Sequence, residues 1–367
     1  MDFWLLPGPH NYLERVLKAL RDGFSVIGAL PGYGVRGLGE VLHDRLEDDG
    51  WMVAAKFFDA GENPLDQIYR AADIVDDDAA RRSVSALCKG LEPGSLTIVE
   101  GVKGTRWPGW KDFLGEYEAA SRGVSRSDRP LILVIPEGIP VASLGRDCAA
   151  LRIFLWKNVV GEFDVMLFVM DSLRNSGKKR ARQRLIARII SRLSLWDVEL
   201  AGRLLELDEG LLFDPFEALK EMVARSEENT LDRNWESGGL MAFDDVEMDH
   251  SFLLLQQSTA SEMIRRRLWE AQASELLPFL EARRQYLSQQ ARPFLRTPIQ
   301  LDGQSFQDVD ELEIGQLAYL ARIHGLRVSI KRAADTLRGY RNKLAHLEPL
   351  SYAEALDLLA GIENPDY

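Results

Sequence analysis

One segment near the end of the 367-residue chain carries the side chains needed for acid–base work on a phosphodiester: Arg341-Asn342-Lys343-Leu344-Ala345-His346. An imidazole changes charge near neutral pH and can take or return a hydroxyl proton. A guanidinium offers a fixed fork of donors to phosphate oxygens, and a carboxamide can hydrogen-bond one of them. Between Arg322 and Lys343 stand seven basic residues (Arg322, Arg327, Lys331, Arg332, Arg338, Arg341 and Lys343) and one acid, Asp335. Arg341, Asn342 and His346 are therefore the candidate catalytic residues. Arg338, Lys343, Lys331 and Arg332 are candidate contacts to nucleic-acid phosphates. A plainer reading stands beside this one: a histidine and flanking bases in a last helical turn also satisfy the helix dipole.

A second segment has the glycines of a phosphate loop without its chemistry. It runs Gly28-Ala-Leu-Pro-Gly32-Tyr-Gly34-Val-Arg36-Gly37-Leu38-Gly39-Glu40. A nucleoside-triphosphate loop needs G-x-x-x-x-G-K-[S/T], its lysine meeting phosphates and its hydroxyl holding Mg²⁺. Gly32 and Gly37 have the spacing, but Leu38 and Gly39 stand at the lysine and hydroxyl positions. Gly32, Gly34, Arg36 and Gly37 remain candidate nucleotide contacts, with Glu100 where a strand-end acid would sit. Glu40 would oppose an anion at the helix start. The sequence supports no ATP hydrolysis, no cofactor and no metal site, since five histidines and two cysteines show no zinc-ligand spacing.

These side chains need elements to hold them. On a helix of 100° per residue, Leu337, Tyr340, Leu344 and Leu347 fall within an arc of about 80°. Asn342 and His346 lie on the opposite face with Arg338, Arg341 lies on the flank, and Pro349 ends the helix. Earlier in the chain, apolar runs alternate with helical stretches. Phe24–Leu30, Trp51–Phe58, Leu96–Glu100, Leu131–Ile135 and Leu151–Trp156 read as strands. Continuous apolar strands between amphipathic helices predict a three-layer α/β domain with a mostly parallel sheet. Residues 1–175 form this domain, 176–225 a helical lid or winged-helix-like extension, 226–250 an acidic linker, and 251–367 an all-helical domain.

Apolar residues make up 46% of the chain and charged ones 28%, so a packed core is expected and general disorder is not. The net charge of −12 argues against indiscriminate nucleic-acid coating. It is unevenly spread: residues 201–250 hold 14 acids and 4 bases, while residues 171–200 hold 3 acids and 8 bases. The basic stretch Arg174–Arg192 could hold nucleic-acid phosphates, and the plainer expectation is that it pairs with its acidic neighbour. No apolar run approaches the roughly 20 residues a spanning helix needs, and no basic region precedes an apolar core at the N-terminus. With two cysteines, Cys88 and Cys148, this predicts a cytoplasmic protein without membrane contact.

The segment LRGYRNKLAHLEPLSYAEALDLL, with its R-N-x-x-A-H motif near the end of a helical domain, resembles the HEPN superfamily, whose signature is an arginine, four to six residues, then a histidine. It is similar to the type fused to ATPases and helicases in prokaryotic defence systems, over about residues 255–362. The layout of residues 1–225 resembles the STAND and AAA+ class of P-loop ATPases with the diagnostic residues missing. The HEPN resemblance implies metal-independent RNA cleavage, with RNA and partner defence proteins as partners and a homodimer in which two Arg–His motifs face each other. His346 would be the general acid or base, Arg341 would stabilise charge on the scissile phosphate, and Asn342 would orient it. An endoribonuclease of a phage-defence or toxin system, regulated by an inactive P-loop-like domain, is the expectation. The alternative is a non-catalytic HEPN dimerisation or scaffold module that docks partner defence proteins.

Overall fold

A computed structural model describes residues 2–57, 63–71, 82–90, 95–126, 129–225 and 231–363. The chain divides into two compact units. One comprises Met1–Asp164, Trp196–Glu199 and Glu228–Leu253; the other comprises Val165–Leu195, Leu200–Glu227 and Leu254–Tyr367.

The first unit is built on five strands: β1 (Ser25–Ala29), β2 (Val53–Phe57), β3 (Leu96–Val102), β4 (Leu131–Pro136) and β5 (Leu151–Leu155). Their order is β2-β3-β4-β1-β5, and every neighbouring pair is parallel. Every residue of β1 and β4 is buried, whichever way its side chain points. Only a sheet covered on both faces gives that pattern, so the expected α/β layering is present. The expected strands lie within a few residues of the observed ones.

The helices of this part are α1 (Pro7–Arg21), α2 (Leu38–Asp48), α3 (Pro64–Ala71), α4 (Val84–Gly90), α5 (Trp107–Ala120) and the start of α6 (Glu162–Leu173). The alternation of strands did not predict α1. It starts with Pro7 at its first position and buries Tyr12, Leu13, Val16, Leu17 and Leu20 along one stripe. A buried relay joins α5 to two strands: Ile132 N–H donates to Ser25 Oγ, Ser25 to Tyr117 Oη at 2.9 Å, and Tyr117 to the Pro130 carbonyl at 2.7 Å.

The described part of the expected linker, residues 231–249, is not a linker. It forms an antiparallel hairpin of β6 (Leu240–Phe243) and β7 (Val246–Asp249), turned by Asp244 and Asp245 at φ 49° and 63°. Trp235, Met241 and Phe243 are buried, and Trp235 Nε1–H donates to the Trp156 carbonyl at 3.0 Å. Apolar burial outweighed the local acidity that suggested a loop. Residues 226–230 of that segment lie outside the described residues.

The second unit is mostly helical. It holds the rest of α6, then α7 (Arg180–Ser194), most of α8 (Val198–Leu205), α9 (Glu209–Leu212) and α10 (Phe216–Ala224), with no strand among the described residues of 176–225. After α11 (Ser251–Leu254) come α12 (Ala260–Ala291), α13 (Ile314–Ile323), α14 (Val328–Ala345) and α15 (Tyr352–Glu363). The expected all-helical region also contains a small hairpin, β8 (Ile299–Leu301) with β9 (Gln304–Phe306). Its two-residue turn, Asp302-Gly303, has both residues at positive φ, as a type I′ turn requires. No described helix is long and apolar enough to cross a membrane.

The basic stretch finds its counter-charges inside this unit. Lys178 and Arg182 meet Glu209, within the acidic neighbour, at 3.2 and 2.7 Å. Arg184 and Arg188 instead meet Glu275 of α12, at 3.1 and 3.2 Å.

Candidate functional site

In the order β2-β3-β4-β1-β5, the chain leaves β1 for the far edge and later crosses back over it from β4 to β5. A crevice opens at such a reversal, at the carboxyl ends of the strands. Here it is a cleft of about 730 Å³. The loop after β1 contributes Arg36 and Gly37, α2 contributes Glu40 and Asp44, and the ends of β3 and β4 contribute Glu100 and Glu137. Asp2 and Trp4 complete it, and neither they nor Asp44 and Glu137 were anticipated from sequence.

The expected phosphate cradle is filled by the protein itself. Glu100 Oε1 accepts from the Gly39 N–H, at the N-terminus of α2, at 3.2 Å. A side chain at Gly39 would place its Cβ 2.3 Å from Glu100 Oε2, so any other residue there displaces the carboxylate from this position. An anion belongs at a helix N-terminus, and here it is a carboxylate in place of a phosphate. Burial raises the Glu100 pKa above the usual carboxylate range. The Gly39 N–H lowers it, and the nearby Glu137 and Glu40 raise it further.

The other glycines are also engaged internally. Gly32 N–H donates to the Glu236 carbonyl at 2.7 Å. Gly34 and Gly37 take φ of 91° and 75°, and Gly37 caps α2. Beside them Tyr33 donates to Asp197 Oδ2 at 2.9 Å, and His250 Nε2 lies 3.3 Å from the same oxygen. Asp197 and His250 are fully buried. His250 Nδ1 accepts from the Phe252 N–H, so its other nitrogen carries the proton, and that nitrogen lies near Asp197 without completing a hydrogen bond. Of the five candidate nucleotide contacts, Arg36 alone presents a side chain without a partner among the described residues. Gly32 and Glu100 serve internal bonds, and Gly34 and Gly37 serve the turn.

The second candidate site lies at the end of α14. Arg341, Asn342 and His346 are all exposed. The helix stops one residue before His346, which caps it, and Pro349 lies beyond. The Glu348 N–H returns to the Lys343 carbonyl at 2.9 Å, with Leu347 at φ 61°, which is a Schellman closure without glycine. Leu347, expected in the packed stripe, is therefore outside the helix and exposed. Leu337 and Leu344 are buried, and Tyr340 is half-buried. Tyr340 donates to Asp357 Oδ2 at 2.7 Å, and burial together with that acceptor raises the phenol pKa.

Two α12 side chains hold this end in place. Trp269 Nε1–H donates to the Leu344 carbonyl at 2.7 Å. Gln272, fully buried, accepts from the Leu350 N–H at 2.6 Å and donates to the Leu350 carbonyl at 3.0 Å.

Five residues at 100° each put Arg341 and His346 about 140° apart around the helix. Arg341 lines a hollow of about 180 Å³ with Glu281, Arg284 and Glu313, and neither Asn342 nor His346 lines it. One copy of the chain thus brings Asn342 and His346 onto one face and leaves Arg341 on another. Among the phosphate-contact candidates, Lys343 is paired with Glu354, and Arg338 lies 3.9 Å from Asp335. Lys331 and Arg332 are exposed, and Arg332 lines a separate hollow with Arg283 and Tyr340. Among the described residues, no group of three or more His, Cys, Asp or Glu side chains is placed to hold a metal ion.

No protein-family model matches the chain, and no curated protein matches it. Among solved structures, a replication initiator DnaA bound to AMPPCP and single-stranded DNA is similar over 96% of this chain and 92% of that one, at 11% identity and a TM-score of 0.33. A likeness that loose carries nothing about what this chain does.

Proposed function

We propose that the chain is a metal-independent endoribonuclease of a prokaryotic phage-defence or toxin system, with Arg341, Asn342 and His346 as its working residues. The observation that supports this reading is their vacancy. All three are exposed, and none of their side chains has a hydrogen bond or ion pair among the described residues, although the helix end that carries them is anchored from α12. His346 takes the proton from a ribose 2′-hydroxyl, the 2′-oxygen attacks phosphorus as the P–O5′ bond breaks, and the 5′-oxygen leaves as a hydroxyl by taking a proton from a histidine imidazolium of the site, giving a 2′,3′-cyclic phosphate. Arg341 stabilises the negative charge on the phosphate oxygens, and Asn342 fixes their position. Because Arg341 and His346 point apart on one helix, the complete site draws on two copies that face each other. The α/β unit acts as a regulator that does not hydrolyse ATP.

The test is cleavage of a labelled single-stranded RNA by the purified full chain in EDTA. His346→Ala abolishes cleavage while the melting curve and circular dichroism stay as in the wild type. An inert wild type, across varied RNAs, refutes the reading.

The alternative, a non-catalytic HEPN dimerisation or scaffold module docking partner defence proteins, draws on a different observation. Tyr319 and Ile323, one turn apart on α13, and Val328 at the start of α14 are 48%, 56% and 71% exposed. Exposed apolar side chains of this size suit a protein interface. Dimerisation without cleavage favours this second reading.

A further inference from the structure

The cleft at the carboxyl ends of β1, β3 and β4 has the wrong charge for a nucleotide and the right groups for something else. Five of its lining side chains are carboxylates, Asp2, Glu40, Asp44, Glu100 and Glu137, and one is basic, Arg36. Acidity alone does not define a ligand, but a second group in the same cleft does. Trp4 is 8% exposed, and its Nε1–H has no partner among the described residues, although its backbone N–H is bonded to Asp2 Oδ1 at 3.0 Å. The indole is held rigidly, edge-on to Phe3 and Trp156, and its Nε1 lies beside Gly37, which also lines the cleft. Arg36 is likewise without a partner.

An indole N–H only donates, so what it meets carries an acceptor. The carboxylates only accept, so what they meet carries donors and positive charge. A nucleoside triphosphate supplies acceptors but brings its charge against five carboxylates, and the helix N-terminus it would use is taken by Glu100. A polyamine supplies the positive charges but nothing for Trp4 or Arg36. A peptide with lysine or arginine side chains supplies both, its backbone carbonyls beside its cations. We infer that this cleft binds a basic peptide segment, with a backbone carbonyl on Trp4 Nε1 and Arg36 and a lysine or arginine head among Glu40, Glu100 and Glu137. The inference is independent of the ribonuclease reading. The crowding of Glu100 by Glu137 and Glu40 supports it, because an entering cation relieves that crowding.

The experiment measures binding of a fluorescently labelled, acetylated and amidated Ala-Lys-Ala-Lys-Ala peptide to the full chain, with unlabelled spermine, lysine and ATP as competitors. The peptide binds saturably. Glu40→Gln with Glu137→Gln weakens it about tenfold. Trp4→Phe keeps the ring packing and removes one donor, so it weakens the peptide roughly threefold to tenfold and leaves spermine unchanged. Glu217→Gln with Glu221→Gln, the same charge change on exposed α10 positions, leaves peptide binding unchanged. Any of four results overturns the inference: no saturable binding, an equal loss in the α10 control, an equal effect of Trp4→Phe on spermine and peptide, or displacement of the peptide by ATP at lower concentration than by its unlabelled form. Displacement by free lysine as effective as by unlabelled peptide also overturns it, and assigns the cleft to an amino acid.

Discussion

The glycine-rich loop after β1 and the end of α14 are both places where a sequence reader looks for phosphate chemistry, and they treat their polar groups in opposite ways. In the loop most of the groups that would meet a phosphate are consumed, Arg36 being the exception. Glu100 takes the N-terminal N–H of α2, Glu236 takes the Gly32 N–H, and Asp197 takes the Tyr33 hydroxyl. At the end of α14 the backbone is closed and anchored, while Arg341, Asn342 and His346 are left open. A glycine-rich turn can exist to let the chain touch itself, so the pattern of glycines is a weaker sign of a ligand than an unpaired side chain on a rigid support. The difference also separates what substitution should do in each place: in the loop it costs stability, and at the helix end it costs activity.

The largest expected effect is at the loop. Asp197→Ala removes the buried carboxylate that accepts from the Tyr33 hydroxyl and stands 3.3 Å from His250 Nε2, and should lower stability by about 3 kcal/mol in a denaturant melt. A loss below about 1 kcal/mol would mean that the loop is not held by this pair. Gln272→Ala comes next. It orphans both the N–H and the carbonyl of Leu350 and should cost about 2–3 kcal/mol. It should also lower RNA cleavage while leaving the α/β unit intact. Unchanged cleavage at full loss of stability would show that the anchoring of α14 does not matter for the site.

Smaller effects sharpen the contrast. Leu347→Gly removes an apolar side chain from a left-handed position and should raise stability by roughly 0.5–1 kcal/mol with cleavage unchanged. Glu100→Gln keeps an acceptor for Gly39 and removes a charge that burial disfavours. The folded pKa of Glu100 is raised, so the folded state binds more protons and its contribution to stability falls as pH rises through that raised pKa. The variant should therefore be more stable than the wild type at neutral pH, by about 0.5 kcal/mol or less after solvent screening. Below the ordinary glutamate pKa the two should melt alike. A gap that widens toward low pH would contradict the assignment of Glu100.

The sheet was legible because each strand is a short, continuous apolar run, and burial on both faces requires that. The long helix α14 was legible from its spacing. The two hairpins were not, for different reasons. β6 and β7 are four residues each, set in an acidic stretch whose charges hide Met241, Ala242 and Phe243. β8 and β9 are only three residues each, too short to show alternation, although Asp302-Gly303 is a strong turn signal. At the sites, Arg341, Asn342 and His346 were readable as types at a spacing. Glu100 was readable as a strand-end acid, but its bond to Gly39 was not, because 61 residues separate them. Trp269 and Gln272, which hold α14, had no local sign either, since their targets are backbone groups 75 and 78 residues away.

The chemistry of the cut decides whether His346 works on RNA. Single-stranded RNA is incubated in EDTA with wild type, His346→Ala and Arg341→Ala, beside the same strand carrying 2′-deoxy sugars. Fragments ending in 2′,3′-cyclic phosphate are expected from the wild type alone, with no cutting of the deoxy strand. Cleavage that survives in His346→Ala, or that cuts the deoxy strand equally well, would contradict this expectation.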